Sequence, residues 1–518
     1  METAVRMLET FADGGVEVCF ANPGTSEMHL VAALDRVPRI RPVPGLFEGV
    51  VTGAADGYGR MRGAPALTLL HLGPGLSNGS ANLHNAFRAR TPIINLVGDH
   101  AVAHRANDAP LQSDIESLAR PVSRWFAAAQ TPQQALELAS WSLDAAAREG
   151  PGTLVLPADV AWSDADTKRP TPGRTASSGT PTWDRDIDRF ADRLRTGGCA
   201  LVLGGRRLGA EACAAAARIG AATGAMVLTD TFPARVERGR GRVALPRIPY
   251  LIEMSAGLLA GARTVILAGA PAPVAFFALP GRPMRPTAGD AEILTLCDAG
   301  EDPTEALVAL AEAVSGAASD LTAPPAIAPG LALSEHDRGL DPDLLARVVA
   351  ATLPANAIVC DESISLGLYA YDQAAGAAPH DWLSLTGGAI GQGLPLATGA
   401  AIACPDRRVV ALQADGSALY TVQALWTQAR ESLDVTNVIL NNGAYAILNM
   451  ELARAGASPG GRAAQALFDL TRPAIDFCAL AAGFGVPATR VRTAGELAAA
   501  LARAQATPGP SLIEAMFP

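Results

Sequence analysis

The chain has 518 residues, 49% of them hydrophobic, and a formal net charge of −10. That length is too great for one ordinary domain and points to about three. Lysines and arginines are dispersed along the chain, which excludes a nucleic-acid surface, where clustered cations must neutralise phosphates.

In chain order, METAVRMLETFADGG (1–15) reads as an amphipathic helix and not as a signal peptide. VEVCF (16–20), ALTLLHL (66–72), IINLV (93–97) and TLVL (153–156) read as buried strands. Residues 166–182, rich in Pro, Ser, Gly and Thr, read as a linker. A second set of strands follows at ALVL (200–203), MVLT (226–229), TVILA (264–268) and ILTL (293–296), then a second linker at 315–337. The third set is AIVC (357–360), VVALQA (409–414), TNVIL (436–440) and SLIEA (511–515). Continuous apolar runs separated by helical patterns imply parallel sheets covered on both faces. The expected fold class is therefore α/β, with three doubly wound parallel-sheet domains at 1–165, 183–314 and 338–518. The 7 cysteines (Cys19, Cys199, Cys213, Cys297, Cys360, Cys404 and Cys478) include no CxxC pair, fit neither a disulfide framework nor a zinc site, and read as buried, reduced thiols. No apolar run reaches the roughly 18 residues of a membrane span, so a cytoplasmic protein is expected.

Ligands of such sheets sit beyond the carboxyl ends of strands, and the most informative segment lies there: ADGSALYTVQALWTQARESLDVTNVILNNGAY (414–445). Asp415 follows a strand and precedes a helix expected to begin near Ser417. Its carboxylate suits a hard cation, while the amides of Gly416 and Ser417 face an anion at the helix start. The next strand ends in Asn441-Asn442-Gly443, where the Asn442 amide oxygen and a nearby carbonyl complement Asp415 around Mg²⁺, an ion that shares oxygen ligands with phosphates. DGS alone is a common turn and NNG an ordinary loop; at the ends of consecutive parallel strands the pair is specific.

This segment resembles the GDG…NN motif of thiamine-diphosphate (ThDP)-dependent enzymes. The resemblance implies that Asp415, Asn442 and the backbone oxygen of Ala444 bind Mg²⁺. Ala414 departs from the motif, which has glycine there. It also implies pyrimidine-binding, middle and diphosphate-binding roles for the three domains in turn.

ThDP chemistry needs a carboxylate beside the aminopyrimidine nitrogen, so that the imino tautomer can take the thiazolium proton. A charge-assisted hydrogen bond of this kind contributes about 1.5–3 kcal/mol. Glu48, in LFEGVVTGAADGYGR (46–60), stands at the start of an Ala/Gly-rich helix. Taken alone it is equally a charge favoured by the helix dipole; by resemblance it is the activating glutamate. The turn ANPGT (21–25) resembles the N-P-G turn facing the cofactor, which involves Asn22, Pro23, Gly24 and Thr25. In TGGAIGQGLPLATGAA (386–401), Ile390 takes the place of the bulky residue beneath the thiazolium, and the Gly388 carbonyl that of the acceptor for the 4′-amine.

The match runs along nearly the whole chain and is similar to acetolactate synthase large subunit-like enzymes and to benzoylformate decarboxylases. His71, at the end of ALTLLHL, stands where the latter carry a catalytic histidine; a satisfied core histidine is its other reading. Glu362, in CDESISLG (360–367), falls near the cofactor. Leu448 stands where pyruvate decarboxylases carry a catalytic glutamate. Gln112, in LQSDI (111–115), resembles an acceptor-side residue of the synthases, and Thr25 is a further substrate candidate. Where benzoylformate decarboxylase has a second histidine, the middle stretch offers Phe276 and Phe277, which suit an apolar or aromatic group.

The resemblance implies decarboxylation of a 2-oxo acid to an enamine that is protonated, releasing an aldehyde, or ligated to a second carbonyl. One alternative is an acetolactate synthase-type carboligase forming a 2-hydroxy-2-alkyl-3-oxo acid; another is a non-catalytic paralogue subunit. FAD is an open but unfavoured cofactor, since GAPAPVAFFALPG (269–281) lacks the synthases' Arg-rich motif. Active sites between subunits of a homodimer or homotetramer are implied.

Overall fold

Three sheets organise the chain. The computed structural model describes residues 2–164, 183, 186–315, 333–457 and 461–518. The linker reading of 166–182 lies outside the described residues, as does most of that of 315–337.

In the first sheet the strands run Arg41–Pro44, Val18–Asn22, Ala66–Leu70, Ile93–Asp99, Gly152–Pro157 and Phe126–Ala128, all parallel. The second places Glu292–Cys297, Thr264–Ala268, Cys199–Leu203 and Met226–Thr229 side by side, again parallel. The third follows the order Ala488–Val491, Ser511–Met516, Val435–Asn441, Val409–Ala414, Ala357–Glu362, His380–Ser384 and Val236–Arg238. Every strand expected from an apolar run is present within two residues of its expected position. The fold is α/β with three parallel-sheet domains, as the resemblance implies.

Three expectations need correction. Val236–Arg238 pairs antiparallel with His380–Ser384, so the third sheet is not wholly parallel and its edge is closed by the middle of the chain. Five strands were also not foreseen: Arg41–Pro44, Phe126–Ala128, Val236–Arg238, His380–Ser384 and Ala488–Val491. Most are short or polar edge strands. His380–Ser384 is interior and buried despite its His and Asp, because Asp381 accepts from Arg235 at 2.8 Å and Arg407 at 2.6 Å. Burial of the thiols is also less complete than expected, since Cys404 and Cys478 are only partly buried. The N-terminal helix forms as expected over Glu2–Asp13, burying Val5, Leu8 and Phe11. Among the described residues, no helix is long and apolar enough to cross a membrane.

The junction that positions the site is the crossing of helix Glu48–Arg62 against helix Gly393–Ala403. A Cβ at Gly57 would lie 2.0 Å from the Leu396 carbonyl oxygen, and one at Gly399 1.8 Å from that of Ala54. The helices therefore touch backbone to backbone. Beside this contact Arg60 pairs with Asp56 at 2.6 Å, both side chains being at most 1% exposed. Arg60 also donates to the Ser384 and Ala234 carbonyls, and Asp56 accepts from Gln392 and Thr91. One satisfied buried ion pair thus joins all three sheets' domains; breaking such a pair costs about 3–5 kcal/mol.

Gly57→Ala separates two effects. Helix propensity alone predicts a gain of up to about 1 kcal/mol, whereas overpacking against a carbonyl predicts a loss of about 1–3 kcal/mol. The expected outcome is a lower thermal midpoint than wild type; a higher one shows that the helices can move apart.

Candidate active site

Glu48 is brought to its place by the edge of the first sheet. After Arg41–Pro44, Gly45 donates its amide to Ala21 O at 3.0 Å, and Asn22 Nδ2 donates to Gly45 O at 2.9 Å. The helix then opens on Glu48, with Phe47 in extended backbone and no side-chain cap, so an acidic group in the first turn meets the positive end of the helix dipole. Glu48 is partly buried; its Oε2 accepts from Asn78 Nδ2 at 3.0 Å. Gly75 leaves room for Oε1, since a Cβ there would sit 3.2 Å from it.

His71 follows the buried strand Ala66–Leu70 and precedes helix Leu72–Ala89. It is not a core histidine, since its side chain is 22% exposed. Its Nδ1 lies 2.8 Å from Glu27 Oε2 and 3.1 Å from Ser26 Oγ. Glu27 is fully buried and also accepts from the Gly24 amide at 2.8 Å and from Ser26 Oγ at 2.6 Å. Gly24 of the N-P-G turn is a packing requirement, because a Cβ there would lie 2.3 Å from His71 Nδ1. Leu72 adopts φ +50, a left-handed conformation that costs roughly 1–2 kcal/mol and is held by its surroundings. Pro23 and Thr25 are exposed at the same sheet end. Gln112 is partly buried, with its Oε1 out of solvent and without a protein partner among the described residues.

On the third sheet, Glu362 ends its strand at 1% exposure and accepts from the amides of Gly391 at 2.6 Å and Gly393 at 2.5 Å. Burial pushes its carboxyl up to about 7, against the opposing pull of those amides. Its observed work is to hold the loop 386–392, which carries Gly388 at φ +74 and Ile390, partly buried. Asn85 of the first domain grips the same loop, accepting from the Ala389 amide at 3.1 Å and donating to its carbonyl at 2.7 Å.

Strands Val409–Ala414 and Val435–Asn441 pair directly, so Asp415 and Asn442 emerge side by side. Asp415 is 3% exposed; its Oδ1 accepts from Gly416 at 2.8 Å and its Oδ2 from the amides of Gly443 at 2.8 Å and Asn442 at 3.2 Å. Burial raises its pKa, and among the described residues no cationic side chain pairs with it. The helix expected near Ser417 is a single turn, Asp415–Ala418. The Gly416 amide is thus already committed to Asp415, and Ser417 Oγ donates to Ala414 O at 3.1 Å.

Phe276 of the middle domain presses on the loop: a Cβ at Gly388 would lie 2.9 Å from its Cζ. Phe276 also packs on Phe232 at 5.8 Å, Tyr250 at 5.2 Å and Phe277 at 5.4 Å between ring centroids. Tyr250 donates to Glu451 at 3.3 Å on helix Ala446–Arg454, which also carries the exposed Leu448. Sequence reasoning missed Glu27, Asn78, Asn85, Phe232 and Tyr250. The closeness of Glu27 to the N-P-G turn was the one available signal.

Two family models match the chain: the N-terminal TPP binding domain of thiamine pyrophosphate enzymes over residues 1–119, and their C-terminal TPP binding domain over residues 368–515. The chain belongs to the thiamine pyrophosphate enzyme family. It is 50% identical over 100% of its length, and 99% of the relative's, to a Mycobacterium tuberculosis protein named as an acetolactate synthase large subunit, IlvX. It is 30% identical to a benzoylformate decarboxylase of Pseudomonas aeruginosa, with 96% of each chain covered. Among solved structures, a ThDP-dependent 4-hydroxybenzoylformate decarboxylase of Rhodococcus jostii RHA1 matches with a TM-score of 0.83 at 25% identity, covering 99% of this chain and 98% of that one.

Glu362 generates a pH prediction. A carboxyl whose folded pKa, about 7, exceeds its ordinary value of 4.5 contributes stability that is complete below 4.5 and is lost as pH rises through 7. Unfolding free energy of wild type is expected to fall across that window by an amount from this group on the order of a few kcal/mol. Glu362→Gln removes the titration and flattens the slope; an unchanged slope contradicts the assignment.

Proposed function

We propose that this chain is a ThDP- and Mg²⁺-dependent enzyme that decarboxylates a 2-oxo acid with a bulky apolar side chain. The carrying observation is the cradle at Asp415: a buried carboxylate that accepts from backbone amides and, among the described residues, pairs with no cationic side chain, with Asn442 and Ala444 on the loop after the adjacent strand. An uncompensated buried carboxylate is costly, and an all-oxygen donor set suits Mg²⁺. The residues fit the ion, and Asp415, Asn442 and Ala444 O would hold it.

Bound there, ThDP supplies the electron sink for the bond that breaks as CO₂ leaves. Glu48 offers the aminopyrimidine nitrogen a carboxylate whose second oxygen is steadied by Asn78. The loop 386–392, clamped by Glu362 and Asn85, would hold Gly388 and Ile390 where the cofactor binds. His71 would move a proton at the substrate's carbonyl oxygen, help that typically contributes about 10²–10⁴-fold. Phe232, Tyr250, Phe276 and Phe277 supply an apolar wall for the substrate side chain; Leu448, Gln112 and Thr25 are secondary contacts. Glu48 and the Asp415 cradle are read as halves of one site completed between subunits of a dimer or tetramer, in a cytoplasmic enzyme.

The name borne by the 50% identical relative supports a second reading, an acetolactate synthase-type carboligase. FAD does not fit either way. In an open α/β sheet a nucleotide occupies the crevice where strand order reverses, here between Cys199–Leu203 and Thr264–Ala268. The backbone packs closely where these strands end: Leu203 bridges Gly269, and Cβ atoms at Gly204 and Gly205 would meet Ala270 Cα at 2.7 Å and Glu301 O at 2.4 Å. Purified protein is therefore expected to show no absorbance band near roughly 450 nm, the flavin signature.

CO₂ release from pyruvate, branched 2-oxo acids and benzoylformate, with product analysis, tests the reading. Preference for the bulkier acids, with aldehyde as product, is expected. Pyruvate as the sole substrate, converted to a 2-hydroxy-2-methyl-3-oxo acid, supports the carboligase instead. Glu48→Gln should abolish turnover, and retention of more than a few per cent of activity contradicts the assignment.

A further inference from the structure

We propose that Glu27 is a positioning residue that fixes His71 as the Nδ1–H tautomer and so presents a bare Nε2 to the cleft. The inference rests on the reading of His71 as a group of the active site.

Glu27 lies under the N-P-G turn at 0% exposure, its carboxyl facing the Gly24 amide at 2.8 Å, Ser26 Oγ at 2.6 Å and His71 Nδ1 at 2.8 Å. An ionised carboxyl only accepts, and two donors already facing it suit that form. Ser26 has a single hydroxyl proton, and the 2.6 Å contact commits it to Glu27 Oε1. It therefore cannot also serve His71 Nδ1, which stands 3.1 Å away. Nδ1 is left facing a carboxylate oxygen and must carry the proton itself. In the neutral ring Nε2 is then the lone-pair nitrogen, able to accept a proton but not to donate one.

The surroundings are shaped around this contact from both sides. Gly24 leaves space for the imidazole, and Gly98 leaves space for the carboxyl, since a Cβ at residue 98 would lie 1.8 Å from Glu27 Oε1. The strained φ of +50 at Leu72 directly follows His71. A buried carboxylate held by three donors, with two glycines clearing its path, is a poor arrangement for fold stability alone, where an apolar side chain would serve as well. For catalysis, it makes His71 the acceptor of the hydroxyl proton given up when the product carbonyl re-forms: the O–H bond breaks, its electron pair closes the C=O, and the proton goes to Nε2. The imidazolium then returns that proton to the carbonyl oxygen of the next substrate as this oxygen becomes a hydroxyl.

The test reads the tautomer without cofactor or turnover. Magic-angle-spinning ¹⁵N NMR of protein labelled only at its 7 histidines, with His71→Phe identifying the resonances, distinguishes protonated from bare ring nitrogens. Wild type is expected to show protonated Nδ1 and bare Nε2 at a pH where the ring is neutral. Glu27→Ala frees the Ser26 hydroxyl to donate to Nδ1 and should shift the ring to Nε2–H. In that variant kcat should fall about 10²-fold or more with little change in KM. Glu27→Gln, which keeps an oxygen acceptor before Nδ1, should retain the wild-type tautomer. An Nε2–H ring in the wild-type apo protein overturns the proposal, even if Glu27→Ala fails to fold. Full turnover by His71→Phe would refute instead the catalytic reading of His71 on which it rests.

Discussion

The backbone-to-backbone crossing of helices Glu48–Arg62 and Gly393–Ala403 is the constraint on which the remaining geometry depends. Gly57 and Gly399 admit an approach that no side chain would allow. The Asp56–Arg60 pair beside them locks the helices' relative rotation by reaching Gln392, Ser384 and Ala234 at once. With that crossing fixed, Glu48 projects from one end of its helix, and the loop carrying Gly388 and Ile390 is presented at the start of the other. Small residues act here as positioning elements.

Around that frame, acidic groups take three environments and suit three tasks. Glu48 is partly open, with one side-chain amide donor. Glu27 and Glu362 are buried among backbone and side-chain donors and organise their neighbours, an imidazole in one case and a glycine-rich loop in the other. Asp415 is buried among backbone amides, and among the described residues no cationic side chain pairs with it. Hydrogen-bond accounting of this kind sorts the carboxylates by function more sharply than their position in the sequence does.

The strands were legible because parallel, doubly covered sheets write themselves as uninterrupted apolar runs, and the positions of Glu48, Asp415 and Asn442 followed from motifs tied to strand and helix ends. What escaped was set by distant partners. His380–Ser384 looks polar, and it is buried only because Arg235 and Arg407 arrive to pair with Asp381. Val236–Arg238 has three residues and no apolar pattern, and it becomes a strand by joining a sheet built mostly from sequence more than a hundred positions away. Glu27 carries no periodic mark of being turned inward; its burial depends on a glycine at position 98 in a neighbouring strand. The aromatic group of Phe232, Tyr250, Phe276 and Phe277 is assembled from three separate loops, so only the adjacent pair was visible.

The central claim is that Glu48 of one chain and the Asp415 cradle of another form one catalytic centre. Mixing inactive Glu48→Gln chains with inactive Asp415→Asn chains, under conditions that exchange subunits, tests it most directly. Each hybrid dimer then contains one intact centre, joining the unaltered Glu48 of one chain to the unaltered Asp415 of the other, and decarboxylation should reappear in proportion to hybrid formed. If verified hybrids remain as inactive as either parent, the two groups act within a single chain or not together, and the account is wrong.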